Sequence, residues 1–261
     1  MDEKKMKKVN YEELSQVYDK NRSVNAKTIN DLIRLTKIGS NSLLLDSGSG
    51  TGNYGIALNK IAKRVIGVDL SLKMIERTRI KEREMDLING DIVFLPFKSL
   101  VFDGMYVIQV LHNLQEKIQF LKEARRVLKV NGHLAIHTCS HDQINAYWCY
   151  YYFPGGLKVD FKRIPDIKDI VSILDDVGFL EIRVKPCHED MVILNQTPEN
   201  YLIEDFRNAD STFALLTNEE IIRGCEHLRE DIKSGVIYEI IEEYKKKIDF
   251  YGGSTIIYCH K

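Results

Sequence analysis

The chain has 261 residues, 44% of them apolar and 29% charged, enough to bury a sizeable core as one domain with embellishments. Thirty-seven basic against 38 acidic side chains leave a formal net charge of -1, so no overall basic field points to DNA or an anionic membrane. Five widely spaced cysteines with no C-x-x-C pair argue against a disulfide framework or zinc finger and are expected reduced; with no apolar run of about 18 residues and no signal-like segment after the basic start, a cytoplasmic location is expected.

From Tyr11 to Leu35, apolar and aromatic residues at helical intervals predict two helices, followed by the loop "IGSNS". Leu43, Leu44 and Leu45 form a short apolar run, expected as the first strand, and "NYGIALNKIAKR" has helical character beyond the glycines. "RVIGVDL" reads as a buried strand ending near Asp69, and Ser71 as the N-cap of a helix through Arg79. "DLING" and "DGMYVIQVLH" predict two more strands separated by a loop. "QEKIQFLKEARRVLKVNGHLAIHT" predicts a charged amphipathic helix, stopped by Asn131-Gly132 and feeding another strand. Residues 141–165, rich in aromatics and holding the one tryptophan, fit no regular element. "IPDIKDIVSILDDVGF" predicts a helix ending at Gly178, "LEIRVKPCHEDMVI" a strand, residues 197–249 charged helices, and "STIIYCH" a closing strand. Alternating strands and helices predict a doubly wound α/β domain with a mostly parallel sheet. The chain is expected to be a single domain over 1–261, with N-terminal helices over 1–40 and insertions at 141–165 and 197–249.

The loop "DSGSGTGNYG", Asp46 to Gly55, separates the possible ligands. A dinucleotide fingerprint wants G-x-G-x-x-G straight off the strand; counted from Gly48 its third glycine falls on Asn53, and counted from Gly50 it starts too late. A phosphate loop ending in G-K-[ST] needs a lysine, and none occurs between Asp46 and Leu58. An acid at the carboxyl end of the first strand would repel a pyrophosphate but suits a ligand carrying an ammonium and a sulfonium. Gly48 and Gly50 would let the backbone approach it without a Cβ in the way.

These residues resemble the first motif of the class I S-adenosylmethionine-dependent methyltransferases, an acid followed by G-x-G-x-G. "VIGVD", "NGDIVFLPF", "FDGMYVIQVLHNL" and "EARRVLKVNGHLAI" resemble the family's further motifs, in order from about residue 41 to 138 and more loosely to 191. The resemblance implies a Rossmann-like, seven-stranded sheet with helical lid insertions and S-adenosyl-L-methionine as cofactor. It implies that Asp69, with Leu70 beside it, pairs with the ribose hydroxyls, and that Asp91 accepts from the adenine amino group. Ile92 and Met74 would pack on the adenine, Gln109 would lie near the methionine end, and Asp46, Gly48, Ser49 and Gly50 would form the loop. "QVYDKNRS" is similar to the segment that folds over the cofactor in small-molecule members of the methyltransferase type 11 group. Tyr18 and Arg22, four apart on one helical face, would then reach the methionine end; the alternative is a packed tyrosine and a surface arginine.

Methyl transfer from a sulfonium asks mainly for near-attack geometry and exclusion of water, with a base only for an acceptor protonated at neutral pH. His112, just past the fourth strand, is the candidate base, set against a histidine that only hydrogen-bonds a loop. His137, Cys139 and His141 alternate and would share one face of an extended strand, as lining of the acceptor pocket or, less in keeping with their surroundings, as metal ligands. Tyr147, Trp148 and Tyr151 are read as a lid over a flat or hydrophobic acceptor, or as packing of the insertion; Arg207 is read as a clamp for an anionic acceptor, or as a surface charge. The expected function is methyl transfer to a small-molecule acceptor, with no DNA or membrane partner. Methylation of a modified tRNA base and cofactor binding without transfer stay open as alternatives.

Overall fold

The computed structural model describes residues 24–188 and 197–261, so Tyr18 and Arg22 lie outside the described residues. Five strands run parallel: β1 (Leu43–Ser47), β2 (Arg64–Asp69), β3 (Asp86–Asn89), β4 (Phe102–Ile108) and β5 (Leu128–Thr138). β7 (Ser254–His260) lies antiparallel between β5 and β6 (Leu180–Cys187), giving one seven-stranded sheet in the order β3-β2-β1-β4-β5-β7-β6. The expected doubly wound fold is therefore present. Side chains alternate across it with the period of two that a strand imposes. Leu45, Met105, Val107, Leu134 and Ile136 face one hydrophobic cluster, Leu44, Tyr106, Ala135 and Ile256 another.

Helices α1 (Ala26–Leu35) and α2 (Asn53–Asn59) close the second cluster through Ile29, Leu32 and Leu58. α3 (Leu72–Lys81) starts where Ser71 caps it, the hydroxyl accepting from the Met74 N–H at 3.3 Å. α4 (Lys117–Val127) packs Phe120, Leu121 and Ala124 into the first cluster. The predicted stop at Asn131-Gly132 is corrected here: α4 ends at Val127 and β5 already begins at Leu128. Asn131, with φ 62°, and Gly132 instead make a bulge in β5, across which the pairing register to β4 shifts. A β-carbon on Gly132 would stand 2.9 Å from the Lys129 carbonyl oxygen, so the bulge needs glycine there. Among the described residues no helix is long and apolar enough to cross a membrane, and the five cysteines are buried and form no disulfide.

Residues 141–165 are helical, against expectation: α5 (His141–Asn145), α6 (Cys149–Tyr152) and α7 (Pro154–Arg163). Their periodicity is hidden because aromatic residues fill several faces of very short helices. α5 starts from a capping box in which Ser140 and Gln143 exchange hydrogen bonds. α8 (Ile167–Val177) then returns to the sheet and ends at the left-handed Gly178, as predicted. Beyond β6 come α9 (Glu204–Asn208), α10 (Asn218–Ser234), which begins at a Thr217/Glu220 capping box, and α11 (Val236–Tyr251).

The two sequence-distant helical segments share a third hydrophobic cluster that is separate from the sheet's. Trp148 meets the Tyr201 ring edge-on at 4.9 Å, Phe153 meets Phe213 at 5.0 Å, and the Tyr152 hydroxyl donates to Asp231 Oδ2 at 2.8 Å. Gly224, inside α10, lets that helix close on α6: its β-carbon would invade the Phe153 ring and stand 2.8 Å from the Tyr152 carbonyl oxygen. Alanine there would gain about 1 kcal/mol of helix propensity but force overpacking that costs roughly 1–3 kcal/mol. Gly224→Ala is therefore expected to lower the midpoint of thermal unfolding, followed by circular dichroism; an unchanged or raised midpoint would show that α6 and α10 do not pack this tightly.

Candidate active site

The strand order reverses between β1 and β4, and in open α/β sheets ligands bind outside the carboxyl ends of the strands at such a point. Leaving β1, the chain turns through Gly48, Gly50 and Gly52, whose φ values of 73°, 53° and 77° all lie in the left-handed region open to glycine. Gly48 has a second constraint, since its β-carbon would stand 2.6 Å from Val110 Cγ2 after β4. A β-carbon on Gly50 would point into open space, so this glycine leaves the backbone approachable from the cleft. The Gly48 and Ser49 N–H groups both donate to the Val68 carbonyl, at 2.8 and 3.0 Å, pinning the loop to the end of β2.

Asp46 lies beneath this loop, 3% exposed. Its strand register sets it opposite Tyr106 of β4. Burial pushes its pKa up to about 7, opposed by the Tyr106 hydroxyl and aided by the charge of Asp69, with the Gly55 N–H also favouring ionisation. Neither Asp46 Oδ2 nor the Tyr106 hydroxyl reaches full hydrogen-bond geometry with any partner. A β-carbon on Gly55 would stand 2.8 Å from Asp46 Oδ2, so α2 can close on the carboxylate only through a glycine. An incompletely satisfied carboxylate at this depth favours a positive charge above it, in accord with the loop reading.

Asp69 ends β2 and receives the Gly50 N–H on Oδ2 at 2.8 Å and the Ser71 N–H on Oδ1 at 2.9 Å. These two bonds fix the orientation of the carboxylate at the strand end, and a carboxylate offers about four lone-pair sites in all. The Asn89 side chain at the end of β3 donates to the Asp69 and Leu70 carbonyls, at 3.0 and 2.9 Å, and so shapes the turn that presents both residues. Leu70 is 73% exposed and Ile92 buried, and Asp91 Oδ1 accepts from the Val93 N–H at 3.0 Å. Met74 is buried on the inner face of α3, and Ser49 turns its hydroxyl onto the sheet, where the missing Cβ of Gly67 makes room. Ser49 therefore builds the loop, and nothing of its side chain faces the cleft.

Across the switch point, Gln109 follows β4 with φ 53° and its N–H bonded to the His137 carbonyl at 2.9 Å. Its Nε2 lies 3.4 Å from His137 Nδ1 and 3.5 Å from Cys139 Sγ. Behind them, His137 Nε2 is 2.9 Å from Ser254 Oγ and Cys139 Sγ 2.9 Å from the Tyr147 hydroxyl. His141 leaves this group: its Nε2 donates to the Ile164 carbonyl at 2.8 Å and its ring stacks on Phe161. The shared face expected of His137, Cys139 and His141 is thus broken where the strand ends at Thr138 and α5 begins. No group of three or more metal-ligating side chains occurs among the described residues.

His112 is half-buried in the single turn Leu111–Asn113 after β4. Its neighbour Asn113 accepts from Arg163 Nη2 at 2.9 Å, a tie from α7 to the cleft edge between residues 50 positions apart, which no local pattern signals. Three further candidates make their contacts within the helical layer. Trp148 is fully buried in the helical cluster, Tyr151 packs against Tyr152 and His227, and Arg207 Nη1 donates to the Tyr201 carbonyl at 2.6 Å. Tyr106, Gly67, Asn89 and Ser254 were missed because their importance appears only through strand register.

A model of the methyltransferase domain family matches residues 45–136. A demethylmenaquinone methyltransferase of Listeria welshimeri is 28% identical over 213 residues, spanning 69% of this chain and 90% of that protein. One of Staphylococcus saprophyticus is 30% identical over 171 residues, spanning 56% of this chain and 73% of that protein. Among solved structures, a candidate methyltransferase from an antibiotic biosynthesis pathway of Anabaena variabilis superposes with a TM-score of 0.76 at 23% identity, covering 92% of this chain and 98% of its own. That structural likeness speaks to the fold alone.

The raised pKa of Asp46 makes a prediction for the ligand-free chain. Well below pH 4 the group is protonated in both folded and unfolded states; between about pH 4 and 7 the unfolded chain has lost the proton that the folded chain still holds. Asp46 therefore destabilises the fold progressively over that interval and by a constant amount above it. Asp46→Asn is expected to stabilise the ligand-free protein at pH 8 by roughly 2–4 kcal/mol in urea unfolding, and by little near pH 4. A gain independent of pH would contradict a protonated, buried Asp46.

Proposed function

The chain belongs to the class I S-adenosylmethionine-dependent methyltransferases, and from that premise we propose that it methylates a small organic acceptor in a pocket closed by its helical layer. The observation that carries this reading is the joint folding of residues 141–163 and 198–251 around one aromatic core. That layer is tied to the acceptor side of the sheet by Arg163 to Asn113 and by Gln143 Nε2 to the Ser254 carbonyl at 2.7 Å. A layer with its own core can act as a lid that excludes water as a unit. A tRNA substrate would want an open basic face, and the net charge of -1 gives it no support. Relatives named for demethylmenaquinone, itself a small molecule, are in keeping with this.

The residues of the donor side fit S-adenosylmethionine in chemistry. We assign Asp69 to the ribose hydroxyls, Asp91 to the adenine amino group with Leu70 and Ile92 flanking the ring, and Gly48 and Gly50 to close backbone approach. Asp46, being buried, acts through its charge across the loop instead of by contact, favouring the ammonium and sulfonium over an anion. When bound, the cofactor supplies a methyl group on a sulfonium, open to in-line displacement by a lone pair of the acceptor. The chain's part is to hold that geometry and keep it dry. His112, on the turn after β4, is assigned to receive a proton from an acceptor that carries one at neutral pH.

Asp69→Ala tests the donor assignment. Two backbone N–H groups lose their acceptor, costing stability about 1–2 kcal/mol, whereas the affinity for S-adenosylmethionine in a calorimetric titration should fall at least about 100-fold with the loss of two charge-assisted bonds. Unchanged affinity in a folded variant would sink the ribose assignment.

A further inference from the structure

The helical layer holds a cavity of about 360 Å³ between α6, the start of α7 and α10, within the size range of small-ligand pockets. No residue of the sheet or of the loop after β1 lines it. Its walls come from both helical segments: Tyr151, Tyr152 and Lys158 from one, Glu220, Arg223 and His227 from the other. On α10 the positions 220, 223 and 227 fall on one stripe, as steps of three and four residues do on any helix. Gly155 brings α7 against that stripe, since a β-carbon there would stand 2.4 Å from Glu220 Oε1.

One carboxylate faces two cations here, and it is already engaged. Glu220 Oε2 accepts from the Thr217 N–H and from its hydroxyl, both at 2.9 Å, while Oε1 rests against Gly155 in the first turn of α7, the positive end of that helix. The Thr217 N–H, then its hydroxyl, then the charges of Arg223 and Lys158 hold the Glu220 carboxyl below its usual range. Arg223 and Lys158 act on it through charge and not through a hydrogen bond, so the two cations keep donors for a further anion. Beside them the Tyr151 and Tyr152 rings flank the His227 imidazole, at 5.5 and 4.9 Å between centroids. Asp231 Oδ2 accepts from the Tyr152 hydroxyl at 2.8 Å and lies 3.6 Å from His227 Nε2, which ties this aromatic wall together. Tyr151 is 46% exposed and leaves ring surface uncovered at the rim.

We propose that this cavity binds a small planar aromatic carboxylate, with the carboxylate between Lys158 and Arg223 and the ring against Tyr151 and His227. A guanidinium fork matches a carboxylate with two parallel hydrogen bonds, and the lysine adds a point charge from the facing helix. Offset or edge-on contact with the Tyr151 and His227 rings favours a flat ligand. The ligand bridges the seam between the two helical segments, at a place distinct from the methyl-transfer cleft. Tyr151, read from the sequence as a lid over a flat acceptor, is thereby assigned to a flat ligand of a second site. The inference does not depend on the S-adenosylmethionine reading, since no residue assigned to the donor lines the cavity.

Benzoate is the probe, with benzamide as its uncharged counterpart and inorganic phosphate as an anion without a ring, each titrated into the full chain at constant ionic strength. In proton NMR the His227 ring signals, identified by their loss in His227→Gln, are expected to shift with benzoate on the millimolar scale open to so small a ligand. Benzamide and phosphate should each bind at least about fivefold more weakly. Arg223→Gln and Lys158→Gln, both at exposed positions, should each weaken benzoate about tenfold, and Tyr151→Ala about threefold. Arg229→Gln, exposed on α10 but outside the cavity, should change it by less than about twofold. Unmoved His227 signals, equal binding of benzoate and benzamide, or a loss in Arg223→Gln no greater than in Arg229→Gln overturns the proposal. Phosphate binding as tightly as benzoate overturns the aromatic class of ligand. Each of these results stands whether or not the chain binds S-adenosylmethionine.

Discussion

Asp46 keeps a carboxylate under the surface at the carboxyl end of the central strand, where water cannot reach it and the Tyr106 hydroxyl only partly compensates it. A charge in that position costs folding free energy, and much of the neighbouring sequence is arranged around it. Gly55 lets α2 approach the carboxylate, and Gly67 makes room for Ser49 in the loop above. The three left-handed glycines carry the chain over the acid, and Asp69 holds the loop by the Gly50 N–H. A bound cation would lower the cost of the buried charge, so the site's affinity and the fold's strain are two sides of one electrostatic arrangement.

The switch point between β1 and β4 divides the cleft by chemistry. On the β1–β3 side stand Asp46, Asp69 and Asp91, acidic groups suited to hydroxyl, amino and cationic partners. On the β4–β5–β7 side stand the hydrogen-bonding groups Gln109, His137, Cys139 and Ser254, joined into one chain of bonds. The helical layer attaches to this second side, and its cohesion is internal: Trp148, Tyr201, Phe153 and Phe213 pack on one another instead of on the sheet. Arg163 and Gln143 carry its polar ties to the cleft edge.

The loop over Asp46 was legible in the sequence because its requirements are local. A positive φ selects glycine at 48, 50 and 52, a strand end selects a carboxylate at 46 and 69, and such spacings survive in one dimension. The hydrogen-bonded groups beside Gln109 were not, because they are assembled by register between strands far apart in the chain: His137 meets Ser254 across 117 positions, and Cys139 meets the Gly253 carbonyl through Tyr147. The same reason explains the misplaced helix end. Asn131-Gly132 is a stop signal for a helix and a bulge signal for a strand, and the pairing with β4 decides between them. In residues 141–165 the aromatic density hid three short helices, since helices of one or two turns show no resolvable period.

The most direct measurement is the proton balance of donor-site binding. Titrating S-adenosylhomocysteine into the protein at pH 7, in buffers of different ionisation enthalpy, gives the number of protons exchanged with solvent. With Asp46 at a pKa of about 7 in the ligand-free chain and driven to the carboxylate by the ligand's ammonium, binding should release about half a proton, and the release should fade toward pH 9. Binding with no proton release at pH 7 would contradict an Asp46 held part-protonated beneath the loop, and proton uptake would contradict it more strongly still.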